Sequence, residues 1–523
     1  MEKVSLKNRG LVAIFVVAIL LVGACQTTIT ETSTATVTKS QTVTVTAGAT
    51  TAVNTAVVPT TSAPPPTTKA VNWPMQITGT FTTSVPNAPV GATVTATGTG
   101  FAANGKFDLM WQDINGSWDV KNGEYYGRIY KESWVNLGAI QADAQGGFKT
   151  TFTVPEGFGF THDLVVLEGG ATSGTIRGKL GFNVDMQITI DSTSGPLGSP
   201  ITVGIKGMGW RDYENSWMLL YDNKYTGVLT TTTTHGSGKA VIPAVGGTGK
   251  HVIQVLQGSF TFAFMNIGQS PFPKTPTWTF IYTVTDGAPI MPPDVSKQSN
   301  AVIKGTTPAA SGSPQVWSDV YLATVGTPMN ILGRGFAAGA KVDLYYMGMT
   351  GNRVDGKGYE KVKKTIGTVT ATSTGEISFA YAMPDTHGGE HALIADIAGV
   401  KVAEGVFNLT PSAVYIKPST GPVGTIMDIE LKGLGWTVEE NNYYMVVDNA
   451  YIGYTCGFNN YGTINIFLPA AGAPGWHYID FYPGVYKGTE PGKIENYRVP
   501  YLTYTDHPGE KIPVLHFAFF VTG

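Results

Sequence analysis

The sequence predicts an all-β protein of four tandem antiparallel β-sandwiches, placed after an export signal and a disordered Thr-rich stalk. Three observations carry this. Short runs of alternating small, β-branched and aromatic residues recur, among them 93–96, 107–111, 148–153 and 164–167, with Gly, Pro, Asn and Asp between them. After the first 25 residues no long stretch keeps an apolar period of 3.6 residues. The chain also repeats itself in units of about 100 residues, the size at which such strands close into a sandwich.

The N-terminus comes first in the chain. Lys3, Lys7 and Arg9 precede an almost unbroken apolar run over 11–22, and small residues then lead to Cys25. That is the layout of a secretory signal over residues 1–24, with a core too short for a comfortable membrane span. Val22-Gly23-Ala24-Cys25 resembles the bacterial lipobox. The resemblance implies that Cys25 is diacylated and becomes the mature N-terminus, so that the rest is exported and lipid-anchored on the extracellular or periplasmic side. Two or three acyl chains, at about 0.8 kcal/mol per buried CH₂, hold a protein stably. Gln26 follows, not the aspartate that the same resemblance links to inner-membrane retention.

Residues 25–72 hold the lipidated cysteine and the stalk. Thr dominates, with Ala, Val, Ser and finally Pro64-Pro65-Pro66. Without large side chains the segment builds no core and reads as an extended tether, on the order of 100 Å long when stretched. Its Thr density also suits O-glycosylation.

Beyond the stalk, Gly91-Ala-Thr-Val-Thr-Ala-Thr-Gly98-Thr-Gly100-Phe101 recurs from Gly326 to Phe336 as Gly-Thr-Pro-Met-Asn-Ile-Leu-Gly-Arg-Gly-Phe. Gly195-Pro196-Leu-Gly198 and Lys206-Gly207-Met-Gly209-Trp210 recur at Gly421 and Lys432. The order is therefore A, B, A′, B′: module A over 73–183, B over 184–286, a Pro-rich linker over 287–311, A′ over 312–410 and B′ over 411–523. In each module a proline (Pro155, Pro243, Pro384, Pro469) precedes a Gly-containing turn, a histidine (His162, His251, His391, His477) and an apolar strand. The Gly-Pro-x-Gly, Gly-x-Gly-aromatic and Pro-to-His pattern resembles immunoglobulin-like modules of the IPT/TIG kind found on microbial surface proteins. The resemblance implies the fold and leaves activity open, because that scaffold hosts unrelated functions.

Composition narrows the function. Charged residues make up 14% of the chain and the net charge is −3, so there is no basic surplus for nucleic acid. With Cys25 lipidated, Cys456 has no disulfide partner and reads as a small buried hydrophobe. Gly100-Phe-Ala-Ala-Asn-Gly105-Lys106 approaches a phosphate-binding loop, but a strand follows where a helix is required. The four repeated histidines lie in four separate modules and so read as strand-start residues bonded to a turn carbonyl, not as metal ligands. Asp222-Asn223 and Asp448-Asn449 read as hairpin turns. Asn115 and Asn408 head N-glycosylation sequons.

One stretch of module A is longer than its strands require. Asp113, Asn115, Asp119 and Glu124 fall at the offsets of a calcium loop, although Trp118 replaces the needed glycine and no flanking helices are evident. A structural calcium is the sole cofactor expectation. Trp111, Trp118, Tyr125, Tyr126, Tyr130 and Trp134 share the same stretch. They would either pack on their own sandwich or form an aromatic loop that takes glycan or peptide. No nucleophile–base spacing or cofactor fingerprint occurs, and no catalytic residue is nominated. The expected function is non-enzymatic: a cell-envelope lipoprotein with a structural, adhesive or surface-layer role, holding the membrane through Cys25 and meeting envelope glycans or surface proteins. The alternatives are a glycan- or peptide-binding lipoprotein and a tether for a membrane-associated enzyme complex.

Overall fold

The computed structural model describes residues 68–69, 72–121, 124–258, 263–269, 277–298, 302–352, 358–485, 498–509 and 512–523. Cys25 and the stalk through residue 67 lie outside the described residues. Among those described there is no α-helix, and no helix long and apolar enough to cross a membrane.

Module A is built from β1 (Thr80–Thr83), β2 (Asn87–Pro89), β3 (Thr93–Thr99), β4 (Lys106–Lys121), β5 (Glu124–Gln141), β6 (Phe148–Thr153), β7 (Phe160–Glu168) and β8 (Thr175–Asp185). One sheet has the order β1-β3-β6 and the other β2-β8-β7-β4-β5, with β2 parallel to β8; Thr68–Lys69, expected to belong to the disordered stalk, instead pairs antiparallel with the edge of β5 as a sixth strand. Module B repeats this with β9 (Gln187–Ile190), β10 (Ser194–Pro196), β11 (Pro200–Lys206), β12 (Trp217–Tyr221), β13 (Lys224–Leu229), β14 (Gly238–Pro243), β15 (Gly249–Gln257) and β16 (Trp278–Thr285). A′ follows with β17 (Gln315–Ser318), β18 (Val320–Ala323), β19 (Pro328–Arg334), β20 (Lys341–Asn352), β21 (Gly358–Thr370), β22 (Ile377–Ala382), β23 (Gly389–Ile397) and β24 (Val400–Leu409). B′ closes with β25 (Ser412–Lys417), β26 (Thr420–Gly421), β27 (Ile426–Lys432), β28 (Asn442–Val447), β29 (Ala450–Cys456), β30 (Ile464–Pro469), β31 (Gly475–Pro483) and β32 (Leu515–Val521). A three-stranded sheet facing a larger one, with the second strand parallel to the last, is the immunoglobulin-like arrangement.

Alternation makes each sandwich. In β3, Val94 and Ala96 point inward while Thr93 and Thr95 point out. The inward set meets Trp111, Leu164, Val166 and Phe182 from the facing sheet to form the core of A. The hairpins of B and B′ turn on Asp222-Asn223 and Asp448-Asn449, with φ of 49° and 61°, and 47° and 57°. Two successive left-handed residues between paired strands make the type I′ turn that Asp and Asn tolerate.

The modules do not hang as separate beads. One apolar cluster joins Ile201, Trp217 and Tyr282 of B to Val446, Tyr478, Tyr482 and Leu502 of B′. Tyr225 and Tyr451 occupy equivalent places in the duplicated pairs, and their rings meet at 6.2 Å. The linker is docked as well. Ile290 donates its N–H to Leu197 O (2.8 Å) and accepts the Tyr478 hydroxyl (2.9 Å), while the Gln298 amide pairs with the backbone of His516.

Candidate functional site

The long stretch of module A folds as two paired strands. β4 and β5 form a hairpin that outruns its own sandwich, and its far half lies on B and B′. Trp111, at its base, is buried in the core of A and stacks on His162 at 4.8 Å. Trp134 is 9% exposed and packs against Trp73 at 5.1 Å. Tyr130 meets Phe158 and Trp210 of module B edge-on. Tyr125 is buried among Met218, Leu220 and Val228 of B and Val499 and Tyr501 of B′. The Trp118 indole donates to the Asp506 carbonyl (2.5 Å) and sits edge-on to Tyr501. Only Tyr126, 39% exposed beneath Lys121, faces solvent. The expectation of an open aromatic loop for glycan or peptide is thereby corrected: Trp111 and Trp134 pack within module A, and Trp118, Tyr125 and Tyr130 join modules, because the far half of the extended hairpin is buried where it crosses its neighbours.

The calcium expectation is corrected on the same strand. Asp113 and Asp119 are six residues apart in extended backbone, about 20 Å at roughly 3.3 Å per residue, so they cannot share an ion. Asp113 faces His235 (3.0 Å) and the Ser133 hydroxyl (3.4 Å), Asn115 donates to Ser133 (2.9 Å), and Asp119 pairs with Lys121 (3.0 Å). The Glu124 side chain lies outside the described residues. Among the described residues no group of three or more His, Cys, Asp or Glu side chains is arranged to hold a metal.

Three modules converge on the loop that follows β13. Asp506 of B′ is fully buried and accepts from Thr230 Oγ1 (2.7 Å), Thr232 N (2.7 Å), Thr233 N (2.5 Å) and Thr233 Oγ1 (2.7 Å) of B. Burial pushes its carboxyl above the usual range, and the four donors pull it back part of the way. Thr503 Oγ1 accepts from Thr230 N (2.9 Å). Residues 500–502 also cap the edge of β13, with Val228 N donating to Pro500 O and Leu502 N to Val228 O. From module A, β4 passes so close that a Cβ on Gly116 would lie 2.2 Å from Thr232 O. Arg128 donates to Asn215 O (2.8 Å).

The repeated histidines and the repeated Asp-Asn turns prove to be one device in B and B′. His251 Nδ1 meets Asp222 Oδ2 (2.6 Å), while Asp222 Oδ1 accepts from Val252 N (2.9 Å). His477 repeats this with Asp448 (2.5 Å) and Tyr478 N (3.0 Å). In every module the histidine Nε2 meets the carbonyl four residues back, at Phe158, Gly247, His387 and Ala473. Each clasp pins a hairpin turn to the neighbouring strand. The hydrogen bond to Asp448 holds His477 above its ordinary value.

An open cleft of about 780 Å³ lies between A′ and B′, lined by residues that include Tyr321, Leu409, Glu440, Tyr504 and Ile512. Among the described residues none of those nominated lines it, and no Lys or Arg does. Asn408, the second sequon asparagine, is buried at its wall, whereas Asn115 is exposed on β4. Cys456 is half-buried on β29.

No family model and no curated protein sequence matches the chain. Among solved structures it is similar to a Salmonella alpha-2-macroglobulin reacted with methylamine (10% identity, TM-score 0.18, 84% of this chain and 30% of that one). It is also similar to an ICAM-5 D1–D4 ectodomain fragment (7% identity, TM-score 0.17, 85% and 99%) and to a teleost fish polymeric Ig receptor ectodomain (14% identity, TM-score 0.17, 40% and 99%). The chain thus spans under a third of the macroglobulin. Superpositions this loose add nothing to the strand order, which by itself makes the modules immunoglobulin-like.

Proposed function

We propose that the chain is a non-enzymatic lipoprotein of the cell envelope, anchored through Cys25 and carrying an immunoglobulin-like head on a Thr-rich stalk. Its role is structural, adhesive or that of a surface-layer component. The observation that supports this reading best is where the reactive and aromatic side chains go. Asp506, His235, Asp113, Trp118 and Tyr125 are committed to joints between modules, which makes a braced body. A second reading, a ligand-binding lipoprotein, is favoured only by the cleft between A′ and B′ and no longer by the hairpin of A.

The anchor is tested by mass spectrometry of the protein purified from membranes. The expected mature N-terminus is a lipid-modified Cys25, and Cys25→Ala releases the head into the soluble fraction. An unmodified, uncleaved N-terminus refutes the anchor. Crosslinking on intact cells tests the role: surface polymers or other surface proteins are the expected partners, and a stoichiometric enzyme partner contradicts a structural one.

A further inference from the structure

The duplication gives the protein two versions of one joint, A–B and A′–B′, whose backbones match. Gly159 N donates to Met208 O (2.9 Å) and Met208 N to Gly236 O (2.9 Å) in the first; Gly388 N donates to Leu434 O (2.7 Å) and Leu434 N to Gly462 O (3.0 Å) in the second. The side chains at equivalent places differ in charge. His235 on the B side corresponds to Tyr461 on the B′ side, both at left-handed φ (56° and 53°). On the other side of the joint, Phe158 of A corresponds to His387 of A′. Each joint therefore holds one histidine against one aromatic ring, His235 on Phe158 at 5.4 Å and His387 on Tyr461 at 6.1 Å, but the histidine has changed sides.

Their electrostatic surroundings are opposite. His235 Nε2 lies 3.0 Å from the buried Asp113 carboxylate, and Glu156, itself paired with Lys206, is the other charged group beside it. The residue of A′ that corresponds to Asp113 is Gly348. Among the described residues His387 accordingly has no carboxylate partner: its Nε2 meets Phe458 O at 3.1 Å, and His391 and Tyr359, whose ring lies 5.3 Å away, are the titratable groups facing it besides Tyr461. The charges nearby are spent elsewhere, Lys364 over the Tyr461 ring and Asp385 on Lys432.

We propose that the two joints respond to pH in opposite senses: the His235–Asp113 contact tightens A–B in acid, whereas the carboxylate-free His387 makes A′–B′ slacken in acid. Burial pulls both imidazoles down. Asp113 more than offsets it at His235, which stands above its ordinary value, while His387 stays below. A raised histidine stabilises its joint fully below about 6.5 and loses that contribution as pH climbs through the higher value. A lowered one contributes above about 6.5 and loses it as pH falls through the lower value. The inference rests on the duplicated joints alone and is independent of how the chain is anchored.

Hydrogen exchange of the full-length chain, followed by mass spectrometry and corrected for intrinsic exchange, reads both joints at once through peptides containing Gly159 and Gly388. Above about pH 6.5 protection at Gly159 should fall, by at most about tenfold per pH unit because one proton is linked; protection at Gly388 should instead fall below that pH. His235→Tyr, which copies the residue of the second joint, and Asp113→Asn, which keeps the histidine and the shape, should each flatten the Gly159 profile and leave Gly388 unchanged. Equal pH slopes at the two joints, or a Gly159 slope that survives Asp113→Asn, would overturn the proposal.

Discussion

Asp506 is the residue whose removal should cost most for its size. Alanine there deletes the acceptor for two hydroxyls and two backbone N–H groups of the Thr230–Thr233 loop. The hydroxyls can turn elsewhere, but the backbone donors of Thr232 and Thr233 cannot. A stranded buried donor costs about 1–3 kcal/mol, so the pair alone accounts for about 2–6 kcal/mol. The loss should fall on the docking of B′ against B, because the 503–506 loop contributes no strand to either sheet of B′. Urea unfolding of the full-length chain followed by tryptophan fluorescence measures it, with Trp118 as a reporter bonded to Asp506 itself. Asp506→Asn should fall between wild type and Asp506→Ala, since its amide keeps one acceptor oxygen and sets an NH₂ against the remaining donors. A double-mutant cycle with Thr233→Val should return a coupling of about 1.5–3 kcal/mol, as for hydrogen bonds to charged groups. A cost below about 1 kcal/mol for Asp506→Ala would refute the reading of this loop as the fastening between the module pairs.

Two further outcomes follow from the same packing. Gly116→Ala should destabilise the A–B contact by about 1–3 kcal/mol, because its Cβ has only backbone to push against at Thr232; calorimetry of the variant should show a lowered transition. His477→Gln should flatten the dependence of melting temperature on pH: the clasp with Asp448 raises the histidine, so its contribution is complete below about 6.5 and is lost as pH rises through the folded value. A wild-type profile left intact in that variant would disprove the clasp.

The fold class was legible because sandwich strands write their burial into a period of two, and Val94 and Ala96 inside with Thr93 and Thr95 outside is what the segment spells. The Asp-Asn turns were legible for a local reason, the left-handed backbone they adopt. Their union with the histidines was not, since Asp222 and His251 lie 29 residues apart and meet only across the sheet. The excess length of the aromatic stretch was visible, but not its target. A hairpin too long for its own module can meet solvent, ligand or a neighbour, and the choice is made by crossing geometry that local sequence does not encode. Asp506 gave no signal because it lies in the connection between β31 and β32, which is longer than its counterpart between β15 and β16. Comparing the spacing from His251 to Trp278 with that from His477 to Leu515 would have exposed the insertion that carries it.

The meeting of Tyr225 with Tyr451 has a thermodynamic consequence. Equivalent residues in contact mark a self-complementary face, the kind two separate subunits would share on a two-fold axis. Free halves would associate only as far as their abundance allowed. Joined through 287–311, each half instead sees the other at an effective concentration that a short connection sets in the millimolar range. Dilution then no longer acts on the contact, so a single isolated copy keeps the same pairing as one in a crowd.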